Sequence, residues 1–435
     1  MPAAPSLLIV PYRSKTGKLY SQIPTSGAGD FTVTRNTEAR RFNSAGLIES
    51  VASGIPRLDY YTSGGTVGCP ALLVEPAGTN GILNSADTRT NWVCWSGFTS
   101  GAIDVIGVSG TNLTVAVSGS NIGAGAGVGN LSRSSNNVAL ASGSTYTLSF
   151  LVKKTGSHTV GGYYASITGA AAGDLGGGFD VSGSFSSGSI YNSAGTTNRI
   201  RRVEQWGTDV FRCSETFTMS ASGTLTTFRV GPTTSVTSAN NPAVGAGIGF
   251  AAPQIELGSV PTSFIPTAAA SGSRSADVIS VSGAVSGSIG QTEGTIYVEV
   301  DVRNAISRVA SILQLRQDGN NQITLGITTA FGGTNTIAAR VQQAGSFVVG
   351  FFQPNNAAGI YKIAFAYKST DCKLYINGTD SGVTISLNNA FTAFSFNEIQ
   401  LGMSNSANQF NDRIRAVALY TTRLTNAELA TLTTP

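Results

Sequence analysis

The sequence predicts an all-β protein, with an irregular amino-terminal assembly segment followed by two antiparallel β-sandwich or jelly-roll domains. Three observations predict it. Only 11 % of the 435 residues are charged while 41 % are hydrophobic, so the chain has the material for cores and is no charge-driven disordered tail. Glycine supplies 53 residues, above the usual ~7 % share, and Ser, Thr, Asn and Ala fill much of the remainder, which is a turn-rich composition. Beyond residue 88, short runs of alternating apolar and polar residues follow one another across Ser/Gly/Asn turns, with no sustained helical period between them. At roughly 100–200 residues per domain the length accommodates two to four domains, and the pattern divides the chain into residues 1–88, 89–275 and 276–435.

Residues 1–88 hold short apolar runs with no sustained period: a turn at Ser44-Ala45-Gly46 with a short strand after it, then Ile55-Pro56-Arg57-Leu58-Asp59-Tyr60-Tyr61 and Cys69-Pro70-Ala71-Leu72-Leu73-Val74-Glu75-Pro76. So little core is expected to wrap a partner or neighbouring copies of the chain rather than fold alone. In the second block, Tyr146, Leu148, Phe150 and Val152 alternate with Thr147, Ser149 and Lys153, which places one face of a strand in a core. Further strands read at residues 113–117, 210–217, 225–230 and 248–257, a spacing that suits a sandwich or jelly roll. In the third block Tyr361, Ile363, Phe365 and Tyr367 alternate with Lys362, Ala364, Ala366 and Lys368, and residues 374–385 read as a hairpin turned at Asn377-Gly378. Ile414–Tyr420 is a further strand, and Thr425 and Glu428 have the spacing of a capping box that starts a helical turn.

Several kinds of chemistry find no support. The four cysteines, Cys69, Cys94, Cys213 and Cys372, contain no CxxC pair, which argues against zinc fingers and redox motifs; small buried hydrophobes in a reducing cytosol are expected, with a Cys69–Cys94 bridge the alternative if geometry allows. His158, the only histidine, lies in the polar run Lys154-Thr155-Gly156-Ser157-His158-Thr159 and reads as a solvated turn residue, not the base of a nucleophilic triad. The glycine-rich run 123–129 lies between Ser/Asn loops and reads as a flexible loop, not a dinucleotide fingerprint. The net charge of +4 is spread as +1, +3 and 0 over the three blocks, so no basic face for nucleic acid is expected. No run approaches the ~18 apolar residues of a membrane helix, and the start lacks a basic n-region and a long h-region, so a soluble, unprocessed chain is expected. The strand Tyr297-Val298-Glu299-Val300-Asp301-Val302-Arg303 carries two carboxylates on one face, an arrangement similar to the acid-bearing strand of laminarinase-type glucanases. Period-two alternation reads it more simply: the valines face a core while Glu299, Asp301 and Arg303 face water.

A resemblance is carried by an ordered series of motifs. Arg35, Glu38-Ala39-Arg40, Gly46-Leu47-Ile48-Glu49, Pro56-Arg57-Leu58-Asp59-Tyr60, the run Cys69 to Pro76 and Thr79-Asn80 resemble the amino-terminal region of head- and tail-fibre proteins of tailed bacteriophages. Tyr146–Phe150, Phe211-Arg212-Cys213-Ser214 and the run Pro253 to Thr267 are similar to phage head-fibre domains with a carbohydrate-binding-module-like jelly roll. Residues 361–367, 374–378, 399–402 and 413–415 look like a laminin-G/concanavalin-A-type sandwich. The resemblance implies a structural virion protein made in the bacterial cytoplasm and carried on the particle exterior. It further implies a homotrimer that docks on capsid or tail proteins through its amino-terminal region, projecting β domains toward host-surface glycans.

No enzyme activity, cofactor, metal, nucleic-acid or membrane partner is expected. Some laminin-G domains bind calcium, but Asp371, Asp380 and Asp412 form no dense oxygen cage and read as solvated turn residues. Trp92, Trp95 and Trp206 are candidate stacking surfaces for sugars, with core packing the alternative, and no glycan-binding residue is assigned. The competing expectation is a glycan-degrading tailspike, with Glu299 and Asp301 as its acids.

Overall fold

The computed structural model describes residues 4–435 apart from 61–67, 95–97, 106–107, 118–130, 135, 156–157, 182–186, 192–194, 208, 238–243, 304–307, 330–334, 355, 382–383 and 406. Trp95 and the glycine-rich run 123–129 lie outside the described residues. Strands make up 56 % of the described residues, so the all-β reading holds. Among the described residues no helix is long and apolar enough to cross a membrane.

Residues 93–257 form one sandwich. One sheet runs Val93–Cys94, Leu131–Arg133, Gly223–Pro232, Val160–Gly169, Gly173–Asp180, Ser187–Tyr191. The facing sheet runs Phe98–Val105, Val108–Val117, Gly247–Leu257, Thr145–Lys154, Val210–Met219, Thr196–Gln205. The alternation read in Thr145–Lys154 does what it predicts, sending Tyr146, Leu148, Phe150 and Val152 into the shared core. There the Phe150 ring meets those of Phe179, Phe228 and Phe250 at centroid distances of 5.7, 5.6 and 6.0 Å. Its other face is also dry, because the segment after Leu257 folds back over it: Thr147 donates its hydroxyl to the Gly258 carbonyl (2.8 Å), and Arg212 donates to Ser149 Oγ (3.0 Å).

The second sandwich is composite. Its eight-stranded sheet pairs Leu7–Ile9 and Ala71–Val74 with Asp412–Tyr420, in the registers Leu7↔Leu419 and Leu72↔Ile414. Its ten-stranded sheet pairs Phe31–Thr34 with Val278–Ser282. Leu7, Phe31, Leu72 and Val74 therefore share one core with Ile296, Val298, Leu313, Phe365 and Val417. The apolar runs of residues 1–88 do find a surface to wrap, as their poor periodicity requires, but that surface is the carboxy-terminal sandwich of the same chain. A boundary at residue 88 cuts through both of its sheets.

Local readings of the third block also hold. Asn377 (φ 48°) and Gly378 (φ 84°) turn the hairpin Lys373–Ile376/Thr379–Asp380, both in the left-handed region that such a two-residue turn demands. Thr384–Asn388 then crosses to the ten-stranded sheet. The helix Asn426–Thr433 starts with a reciprocal cap: Glu428 N–H donates to Thr425 Oγ1 (3.3 Å) and Thr425 N–H to Glu428 Oε2 (2.8 Å).

Candidate functional site

The motif residues converge where the two sandwiches meet. Arg35, Arg57, Glu75, Arg274 and Asp277 are each at most 3 % exposed. Arg35 spends all five donors: one N–H on Asp277 Oδ1 (3.0 Å) and the others on the carbonyls of Thr37, Val51, Ala52 and Ile55. Arg57 bridges Glu75 Oε2 (2.5 Å) and Asp277 Oδ2, and also donates to Ser263 Oγ (2.9 Å). Glu75 takes a second cation from Arg274 (3.1 Å) and accepts from Ser263 N–H (2.7 Å). Burial would push the Glu75 carboxyl up, but Arg57 and Arg274 outweigh it and hold it well below the usual carboxylate range.

The run Pro253 to Thr267 supplies the strap of this joint. Glu256 accepts from Thr262 N–H (2.8 Å) and its hydroxyl (2.7 Å), Gln254 Oε1 accepts from Ile265 N–H (2.7 Å), and Asn80 reaches the carbonyls of Pro253 and Ile265 at 3.1 and 2.9 Å. Burial raises the Glu256 carboxyl despite its Thr262 hydrogen bonds and the nearby Arg274 and Arg212. The motif series of the sequence is thus the hydrogen-bonded hub that holds three chain segments together.

Beside the hub lies a cleft to which all three segments contribute. Arg40, Arg41, Phe42 and Ile48 come from the hairpin Ala39–Phe42/Ile48–Val51, Glu204, Trp206 and Arg212 from the outer face of the first sandwich, Pro261, Ser263 and Phe264 from the strap, and Arg303, Asn411 and Arg413 from the second sandwich. Its cavity of about 50 Å³ has room for a few waters. Trp206 sits at the turn after Thr196–Gln205, edge-on to Phe42 (4.9 Å, 78°), with the Arg212 guanidinium 5.0 Å from its ring centroid. Alternation places Arg212 here, since its neighbours Phe211 and Cys213 point into the core.

The sequence-predicted candidates fall elsewhere or take other roles. Trp92 is a core residue, 7 % exposed, that donates its indole N–H to the Asn84 carbonyl (3.1 Å). Glu299 is held by Arg415 (2.6 Å) and Asp301 by Arg303 (2.8 Å), while Val298, Val300 and Val302 enter the core. Asp301 does not face water as expected: it is 2 % exposed, on the end of the sheet where the segments meet. Asp412 corrects a second expectation. It is no solvated turn residue but a buried one opening the strand Asp412–Tyr420, paired with Arg308 (2.6 Å) and accepting from Arg303 N–H (3.0 Å). Asp371 and Asp380 are exposed partners of Arg423 and Lys373. Among the described residues no group of three or more His, Cys, Asp or Glu side chains is placed to hold a metal ion.

His158 is half-buried, with Nε2 2.5 Å from the Val160 carbonyl, and burial lowers its pKa. The Cys69–Cys94 bridge is not formed; Cys213 and Cys372 are buried, whereas Cys69 is exposed.

Two other surfaces differ from the cleft in what lines them. A groove of about 710 Å³ runs past Thr79, Asn137, Tyr146, Leu257 and Ser273, lined mainly by neutral groups. The outer face of the ten-stranded sheet carries amides that bond one another across strands, Gln314 to Gln322 (2.8 Å) and Gln322 to Gln342 (2.7 Å). The cleft alone of the three combines an aromatic ring, several guanidinium groups and residues from every segment. Sequence reasoning missed it because strands distant in sequence build it; the Phe211-Arg212-Cys213 alternation was the one local signal.

No family model matches the chain, and no curated protein matches it. Among solved structures, the chain is similar to domain 4 of AbnA, a GH43 extracellular arabinanase from Geobacillus stearothermophilus, in complex with arabinotriose. That likeness has a TM-score of 0.30 and 17 % identity over 36 % of this chain and 73 % of that one. It is also similar to the CBM40 of the Ruminococcus gnavus IT-sialidase bound to α2,3-sialyllactose (TM-score 0.28, 19 % identity, 34 % of this chain, 84 % of that one). A third is the receptor binding domain of the botulinum neurotoxin C/D mosaic serotype (TM-score 0.28, 14 % identity, 36 % and 40 %). These neighbours are binding domains, two of them solved with a saccharide, at TM-scores that assign this chain to none of their families.

Proposed function

We propose that this chain is a non-catalytic glycan-contacting protein and, more finely, a structural fibre or decoration protein on the exterior of a tailed-bacteriophage particle. The observation that supports the reading best is the seam. Two sandwiches are joined through buried ion pairs, and beside the joint a cleft sets an indole ring against guanidinium groups, a pairing suited to the apolar C–H face and polar rim of a sugar. The carboxylates a hydrolase would use, Glu299 and Asp301, are each engaged by an arginine.

Docking on capsid or tail proteins and assembly as a homotrimer belong to the same reading, although the apolar runs that argued for a trimer are buried within one chain. Affinity electrophoresis of the full chain through gels containing host-surface polysaccharide tests the glycan reading: retardation is expected, and unchanged mobility in every polysaccharide of the host would overturn it. Mass spectrometry of purified particles tests the virion reading, which abundance in uninfected cells and absence from particles would end. Light scattering should give three times 44.6 kDa.

A further inference from the structure

The geometry points to an anion-binding subsite at Arg212, in the seam cleft, that takes the carboxylate of an acidic sugar residue. Five arginines line the cleft. Four hold a carboxylate: Arg40 holds Glu38 (2.5 Å), Arg41 Glu49 (2.7 Å), Arg303 Asp301 (2.8 Å) and Arg413 Asp59 (3.0 Å). Arg212 does not. Its Nη2 donates to Ser149 Oγ (3.0 Å) and the Thr262 carbonyl (2.6 Å), while its Nε and Nη1 donate to no atom of the described residues.

The side chain is 8 % exposed and lines the cleft, so a cation that keeps its charge sits almost out of water; Glu256, Glu204 and Glu75 attract it, yet it forms an ion pair with none of them. Glu204 faces it across the strand pair, yet the two make no ion pair. The nearest buried carboxylates are spent, Glu75 on Arg57 and Arg274, and Glu256 on Thr262. Nη2 belongs to both two-nitrogen edges of the guanidinium and is taken, so a ligand carboxylate accepts singly, from Nε or from Nη1. The cavity admits a head group of a few waters' size, and Trp206 beside it offers a flat apolar surface to a sugar ring. A free phosphate or sulfate shares the anionic chemistry but has no apolar face for that ring.

This inference rests on the reading of the chain as a glycan-contacting protein, and one titration experiment separates their failures. Full-length protein is titrated calorimetrically with a galacturonic acid trisaccharide, the matching neutral galactose trisaccharide and sodium sulfate. The acidic sugar is expected to bind about tenfold or more tightly than the neutral one, and Arg212→Gln to weaken it about tenfold or more, on the usual scale of a charge-assisted hydrogen bond. Arg212→Lys, which keeps the charge on a head group of different shape and reach, should fall between. Should Arg212→Gln fail to fold, the unaltered protein still decides: acidic-sugar binding must weaken with added salt and be displaced by sulfate. Equal affinity for the two sugars, insensitivity to Arg212→Gln in a variant that melts normally, insensitivity to salt, or binding of sulfate alone would each overturn the inference. Neutral-sugar binding untouched by Arg212→Gln leaves the glycan reading standing, whereas failure of host polysaccharide to retard the chain removes that reading.

Discussion

The two sandwiches are built from similar strands by different routes. The first draws both sheets from residues 93–257, although pairs such as Leu113↔Phe250 and Tyr146↔Leu257 join strands well apart within that stretch. The second closes its sheets with strands from the opposite end of the chain, as Leu7↔Leu419 and Leu72↔Ile414 show. The first sandwich is therefore closed within one continuous stretch of the chain. The second depends on loop closure over hundreds of residues, and the buried polar hub fixes where the returning segment must dock.

That contrast is open to breakage at several points. Deleting residues 4–88 should have the largest effect, stripping strands from both sheets of the second sandwich together with Arg35, Arg57 and Glu75. Hydrogen exchange should then show the amides of 293–302 and 412–420 losing protection while those of 145–154 keep it; equal loss in both would mean that the sandwiches are not separable in this way. Arg57→Ala should come next. It leaves Glu75 and Asp277 buried with one cation fewer each, at about 3–5 kcal/mol in chemical denaturation, whereas a cost below ~1 kcal/mol would remove the hub from the account.

The joint also has a signed dependence on acid. Because the folded Glu75 carboxyl is held low, its contribution is present above the unfolded carboxylate value of ~4.3 and is lost as pH falls below it. Glu256 is raised, so its contribution runs the other way, present below the unfolded value and lost as pH rises through its folded one. Stability measured against pH should fall on the acid side in the unaltered chain and fall less steeply in Glu75→Gln; parallel curves would contradict the assignment. The smallest expected effect is Thr425→Ala, about 1 kcal/mol from a lost helix cap, read as a lowered melting temperature.

What the sequence made legible is what is local, in either sandwich. The Tyr146–Val152 alternation, the Asn377-Gly378 turn and the Thr425/Glu428 cap are local, and each forms as read. Residues 1–88 read as coreless because their strands pair with partners hundreds of residues away, and no period within the segment reports that. Asp301 and Asp412 were misread as solvent-facing for a related reason: a strand's pattern says which face leaves its own core, not whether another segment covers that face. The cleft was illegible for the same cause, although the outward position of Arg212 followed from its apolar neighbours.

The central claim, contact with glycans without cleavage, is tested most directly by incubating the full chain with host-surface polysaccharide and following polymer length together with new reducing ends. The account predicts polymer that is bound, of unchanged length and with no new ends. Shortened polymer with new reducing ends, abolished by Glu299→Gln, would contradict it.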